Sequence, residues 1–194
     1  MRKKFCVPMI LLCLLLNGCG AEKEETDPRE VYRTMAGCSA EAVVSCEQED
    51  CIWEARLLCE YVPGGESTVE ILEPKELAGV RAVITDEDWR LEYEDLCLNI
   101  GTLSSEELSP AVCLPRLMDA LREGWLLEEN RELWNGEACL RLTVDQTGAN
   151  GGKVLSTLWL REGNRTPVRG EIAVDDEIIL TAEFTNFIFY DTIN

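Results

Sequence analysis

Alternation between apolar and polar residues constrains this chain more than any other feature. In Trp53-Glu54-Ala55-Arg56-Leu57-Leu58-Cys59-Glu60-Tyr61, one parity carries Trp53, Ala55, Leu57, Cys59 and Tyr61, and the other carries Glu54, Arg56, Leu58 and Glu60. A period of two sends successive side chains to opposite faces of a strand, so this run predicts half-buried antiparallel β structure. Pro63-Gly64-Gly65 turns it into residues 67–72, where Val69 and Ile71 share a face. Trp89, Leu91 and Tyr93 oppose Arg90, Glu92 and Glu94 in the same manner. After the Asn135-Gly136 hairpin signal, Ala138, Leu140, Leu142 and Val144 oppose Cys139, Arg141, Thr143 and Asp145. Further strands are predicted over 154–161, 167–174 and 178–190, separated by turn residues at 148–152, Gly163-Asn164 and Asp175-Asp176. A sheet therefore runs through nearly the whole chain.

The last run breaks its own parity. Leu180, Ala182, Phe184, Ile188 and Tyr190 fall on one face, whereas Phe187 and Phe189 take the other, where Thr181, Glu183 and Thr185 preceded them. Either a bulge flips the face after Thr185, or both faces are covered at the end. An apolar groove on this stretch is the functional counterpart of simple covering.

Two passages have a helical period instead. Leu114, Leu117, Met118 and Leu121 recur at helical spacing before Gly124 ends the run. Ser109-Pro110 opens a turn, and Pro115 has no N–H to donate, so the regular helix is expected to start near Pro115. At the N-terminal side, Asp27 can cap, Pro28 suits a first helical position and Glu30 can complete a capping box. Val31, Tyr32 and Met35 form a small apolar stripe, with Gly37 as the expected stop.

The 194 residues and 46% hydrophobic content suit one domain with a real core. Lys+Arg is 18 against Asp+Glu 37, which excludes nucleic acid as an expected partner, since phosphate neutralisation needs a basic patch. There is no histidine, so Ser-His-Asp, Cys-His and His-zinc chemistry is excluded within the chain.

Residues 1–18 read as an export signal. Arg2, Lys3 and Lys4 form a basic start, and residues 5–16 are apolar, shorter than the roughly 20 residues a membrane-spanning helix needs. Leu16-Asn17-Gly18-Cys19 matches the bacterial lipobox, with cleavage expected between Gly18 and Cys19 and a diacylglyceryl group on the Cys19 thiol. Two acyl chains anchor a protein stably where one is marginal. Residues 19–26 then form a lipidated, polar tether, and residues 27–194 a single domain on the extracytoplasmic face of the cell membrane. Loss of Arg2, Lys3 and Lys4 leaves 15 Lys+Arg against 37 Asp+Glu, a net charge of about −22. Anionic headgroups repel such a surface, so membrane contact is expected through the acyl anchor.

A lipobox, a short helix, long meandering strands, a mid-chain helix and more strands make an order that resembles the LolA/LolB-like lipoproteins. The likeness is carried by that order and by Trp53-Glu54-Ala55-Arg56-Leu57 and Glu73-Pro74-Lys75-Glu76-Leu77-Ala78-Gly79-Val80. It implies a mainly β (α+β) fold, in which a strongly curved antiparallel sheet forms an incomplete barrel. The short N-terminal helix and the mid-chain helix would cover its concave face. It also implies a non-enzymatic, membrane-anchored protein that binds an apolar ligand or an envelope partner. The ligand-facing residues would be Trp53, Leu57, Tyr61, Trp89, Leu91, Leu117, Met118 and Leu121. The alternative is regulation of a cell-wall or spore-cortex amidase, as by the germination lipoprotein among the lipidated clostridial members.

Seven cysteines follow Cys19, an odd set. Cys46 and Cys51 flank Glu47-Gln48-Glu49-Asp50 at an expected hairpin and are the local pair whose spacing suits a disulfide. Cys59, on the apolar face of its strand, reads as a small buried hydrophobe. With no C-x-x-C and no histidine, no metal site and no cofactor are expected. The acidic groups Glu128, Glu129 and Glu132, and Asp86, Glu87 and Asp88, read as solvated turns. Residues 145–152 lack the regular oxygen ligands of a calcium loop and read as an ordinary loop.

Overall fold

The computed structural model describes residues 27–48, 51–85, 88–101, 110–148 and 152–191, with the backbone alone at 47, 48, 51 and 101. The expected cleavage and lipidation positions Gly18 and Cys19, the tether, Ser109, Asp86, Glu87 and the side chain of Cys51 lie outside the described residues.

Eleven strands form one antiparallel sheet. The first six in chain order are β1 (Gly37–Gln48), β2 (Cys51–Tyr61), β3 (Ser67–Glu73), β4 (Arg81–Ile84), β5 (Trp89–Tyr93) and β6 (Leu96–Gly101). After the helical passage come β7 (Trp125–Trp134), β8 (Glu137–Asp145), β9 (Val154–Arg161), β10 (Pro167–Val174) and β11 (Glu177–Tyr190). Neighbours follow the order β6-β5-β4-β3-β2-β1-β11-β10-β9-β8-β7. Two meanders are thus joined at the middle by β1 against β11, and β6 and β7 are left as edges. This is the expected incomplete barrel.

The expected strands are all present, and most of their expected apolar residues point inward, although Ala138, Tyr93, Ile188 and Tyr190 are exposed. Ala55, Leu57, Cys59 and Tyr61 of β2 are buried, as are Leu140, Leu142 and Val144 of β8. The Asn135-Gly136 hairpin forms with positive φ at both residues (49° and 84°), the geometry that matches the twist of two paired strands. The parity break in β11 is resolved as a bulge. Glu41 pairs with Asn186 and Ala42 with Phe184, leaving Thr185 as the extra residue. Its hydroxyl donates to the Glu41 carbonyl at 3.2 Å. The bulge returns Phe187 and Phe189 to the same face as Phe184, and Tyr32 packs edge-on against Phe189 at 5.3 Å between ring centroids.

Three expectations need correction. Cys139 lies on the outer face but is buried, in a small second cluster with Trp159 and Val168, packed by Trp134 and capped by the Arg169 guanidinium 4.8 Å above the Trp134 ring. Glu128, Glu129 and Glu132 are not in turns but in β7, an edge strand exposed along most of its length, where Glu128 and Glu132 pair with Arg141. Gly124 caps the mid-chain helix as expected, but the N-terminal helix stops earlier, with Met35 as its cap, and both glycines are also needed for space. A Cβ on Gly37, which begins β1, would sit 2.5 Å from the Tyr61 carbonyl oxygen, and one on Gly124 would sit 2.1 Å from Val144 Cγ1.

Helix α1 (Glu30–Thr34) is a little over one turn long, and helix α2 (Cys113–Glu123) follows a 3-10 turn at Pro110–Val112. No capping box forms at α1, where Glu30 is exposed. Instead Asp27 accepts from the Arg29 backbone N–H at 2.9 Å and from the Arg33 guanidinium at 2.6 Å. Burial pushes the Asp27 carboxyl up, but these hydrogen bonds and the charges of Arg29 and Arg33 outweigh it and hold the group below its ordinary range. The Arg29 guanidinium also donates to the Gly124 carbonyl at 2.8 Å, fastening the start of α1 to the end of α2. Leu114, Leu117, Met118 and Leu121 of α2 are fully buried, each worth about 1.5–3 kcal/mol relative to exposure. Gly170 of β10 makes room for them, since a Cβ there would meet Leu117 Cδ1 at 2.7 Å.

Candidate functional site

The helices cannot cover the whole inner face. An 11-residue helix spans about 16 Å, at 1.5 Å per residue, whereas eleven strands at about 4.8 Å spacing extend roughly 50 Å. Helix α2 packs mainly against β2, β8, β9 and β10, and the 3-10 turn ahead of it packs on β3 and β4. Among the described residues the inner face of β2–β5 is less fully covered, and an apolar cavity of about 380 Å³ lies there.

Each wall follows from the alternation. Strand β2 contributes Trp53, Ala55 and Leu57, and β3 contributes Val69 and Ile71. Ala82 comes from β4, and Trp89 and Leu91 from β5, where Ala82 and Leu91 are cross-strand partners. Residues 74–80 close one side with Pro74, Leu77 and Val80, and the 3-10 turn closes another with Pro110 and Ala111. The loop is held by the Leu77 N–H on the Pro74 carbonyl (3.0 Å) and the Gly79 N–H on the Ile71 carbonyl (2.9 Å). Gly79 has φ of 86°, a conformation that favours glycine. Among the described lining residues Glu54 is the one ionisable group, so the site offers no acid–base pair and no set of metal ligands. No group of three or more ligating side chains converges among the described residues. The buried indole N–H of Trp89, in the cavity wall, meets no acceptor among them, a cost of about 1–3 kcal/mol carried at this place.

Of the eight ligand-facing residues expected from the sequence, Trp53, Leu57, Trp89 and Leu91 come together in this cavity. Leu117, Met118 and Leu121 are fully buried in the packed core, and Tyr61 joins them there. The Tyr61 hydroxyl donates to Asp119 Oδ1 at 2.5 Å, and burial with this hydrogen bond pushes the phenol above the ordinary tyrosine range. The sequence reading missed the walls formed by Val69, Ile71, Pro74, Leu77, Val80 and Ala82. The signal for three of them was present, since Pro74, Leu77 and Val80 lie in the stretch that carries the family likeness.

Register places Cys46 opposite Trp53 and Cys51 opposite Gln48, so the two cysteines are diagonal neighbours across the β1–β2 hairpin. Cys38, Cys59, Cys113 and Cys139 are buried free thiols, whereas the free Cys97 is exposed on β6. Burial pushes Cys38 and Cys113 up to about 12, with the charge of Glu60 adding to the effect at Cys38. Among the described residues no helix is long and apolar enough to cross a membrane.

No protein-family model and no curated protein matches the chain. Among solved structures it is similar to an uncharacterized conserved protein from Thermus thermophilus, with TM-score 0.49 and 16% identity over 86% of each chain. It is also similar to a LolA superfamily protein from Nitrosomonas europaea, with TM-score 0.45 and 12% identity over 86% of this chain and 92% of that one. The lipoprotein LppX of Mycobacterium tuberculosis gives TM-score 0.47 and 11% identity over 87% of this chain and 93% of that one.

Proposed function

We propose that this chain is a non-enzymatic, lipid-anchored binding protein of the bacterial cell envelope that holds an apolar chain in the cavity over β2–β5. The carrying observation is the cavity itself. Where helix α2 packs, the inner face is filled with fully buried leucines, whereas among the described residues a hollow remains here, walled by Trp53, Leu57, Val69, Ile71, Trp89 and Leu91. Concave, mostly apolar sites of this volume suit small apolar ligands. Burial on binding supplies the affinity, at about 0.8 kcal/mol per methylene removed from water. Anchoring at Cys19 would keep the cavity at the membrane surface, with the tether as spacer and the acidic domain held off the headgroups.

Native mass spectrometry of the delipidated protein, isolated from its own membranes in a mild non-lipid detergent, tests this reading. The expected result is an adduct of lipid mass that Ile71→Trp, whose larger side chain narrows the cavity, weakens. A spectrum of the bare chain, together with no uptake of any added acyl compound, would contradict it.

A further inference from the structure

Pairs between β10 and β11 run from Val174 opposite Glu177 to Arg169 opposite Glu183. Past Arg169, a second cavity of about 210 Å³, polar where the first is apolar, lies between the β9–β10 turn and the Thr185 bulge of β11. Arg161, Asn164 and Thr166 line it from the turn, and Thr185 and Asn186 from the bulge. The turn is braced from within and from α1. The Arg165 N–H donates to the Arg161 carbonyl at 3.0 Å, and the Arg161 N–H to the Thr166 carbonyl at 2.9 Å. The Tyr32 hydroxyl donates to the Arg165 carbonyl at 2.5 Å. Asn164 is oriented by a donor that cannot be reversed, since its Oδ1 accepts from the Thr166 backbone N–H at 3.1 Å as well as from the Thr166 hydroxyl at 2.8 Å. Its amide NH2 therefore faces away from Thr166 and has no acceptor among the described residues. The side chain of Asn186 likewise makes no hydrogen bond among them.

The charge here runs against the rest of the chain. The lining holds a guanidinium and no carboxylate, although Asp+Glu outnumber Lys+Arg by 37 to 18. The neighbouring acids are engaged: Glu137 with Arg161 at 2.9 Å, Glu162 with Arg131 at 3.6 Å and Glu183 with Arg169 at 3.2 Å. Arg165, in the same turn between Asn164 and Thr166, has no carboxylate partner among the described residues. We propose that this cavity binds a small oxyanion of the phosphate class. Amide and guanidinium N–H groups without acceptors favour oxygen atoms opposite them, and hydrogen bonds to an ionised acceptor are the stronger kind. The volume admits one phosphate group with a few waters, at about 30 Å³ each, and the polar wall disfavours an acyl chain. The two cavities share no residue, so binding at this one does not depend on the other being a ligand site.

Titration of the delipidated protein with inorganic phosphate and with glycerol phosphate, followed by backbone amide chemical shifts at constant ionic strength, tests this. Saturable, millimolar binding is expected, with the shifts centred on residues 163–166 and 185–187. Tighter binding of glycerol phosphate would assign the site to a phosphorylated headgroup, and equal or weaker binding would assign it to the free ion. The double variant Arg165→Gln with Asn186→Ala breaks no side-chain bond among the described residues. It should weaken binding at least fivefold at an unchanged urea midpoint, whereas Arg90→Gln on β5 should leave binding unchanged. No saturable shift with either probe at millimolar concentration would overturn the proposal. So would full affinity in the double variant, or saturable shifts that lie elsewhere in the sheet.

Discussion

Single side chains in this core are set by burial. Cys38, Cys59 and Cys113 are packed thiols whose ionisation is suppressed, whereas Cys97 stands exposed on an edge. A short pulse of iodoacetamide at neutral pH, mapped by peptide mass, should therefore modify Cys97 and spare those three; labelling of Cys59 at a comparable rate would show that the packing is loose. The same shifts give stability a pH dependence. Cys38 and Cys113 rise from the ordinary thiol value of 9.0 to about 12 in the folded state. Below 9.0 both folded and unfolded chains keep these protons, and stability is complete. Between 9.0 and about 12 the unfolded chain releases them first, so stability falls as pH rises through that window, as urea midpoints should show. Tyr61 acts in the same direction at higher pH. Asp119→Ala removes its acceptor and should cost about 1–3 kcal/mol in denaturant unfolding, more than Tyr61→Phe, which removes donor and need together.

Elements were legible in the sequence where one face is buried and the other is wet. β2 and β8 announce themselves because most of their inward residues are large and most of their outward ones polar. β1 does not, although it is central. Its inward residues are Cys38, Ala40, Ala42, Val44 and Cys46, too small to stand out against Ser39, Val43 and Ser45. The edges β6 and β7 failed for the opposite reason, since strands exposed on both faces have no alternation to read. Half of the expected site was readable from Trp53, Leu57, Trp89 and Leu91. The rest was not, because periodicity shows which residues point inward but not how far one short helix reaches across them. The β11 bulge is a sharper case, in which the sequence posed two answers and the pairing with β1 chose one. Deleting Thr185 should turn Phe187 and Phe189 away from Tyr32 and destabilise the domain by about 2–4 kcal/mol, measured as a shift in urea midpoint. An unchanged midpoint would mean that the bulge carries no packing role.

At the scale of the molecule, two meanders share one sheet but not one cover. β8–β10 and β2 are closed by α2 into a filled core, while the β2–β5 region keeps an apolar hollow among the described residues. That asymmetry is the basis of the proposed capture of an apolar chain. The anchoring half of this account predicts that a palmitate analogue fed to cells labels the protein, and that Cys19→Ser abolishes the label; continued labelling of Cys19→Ser would refute it. The binding half is tested most directly by titrating the delipidated domain with an acyl chain that carries an environment-sensitive fluorophore, alongside Ile71→Trp. The account predicts saturable binding of one chain per domain, with energy transfer from the tryptophans of the cavity wall, weakened at least tenfold in Ile71→Trp at unchanged folding stability. Binding that is absent, or equally strong once the cavity is narrowed, would contradict it.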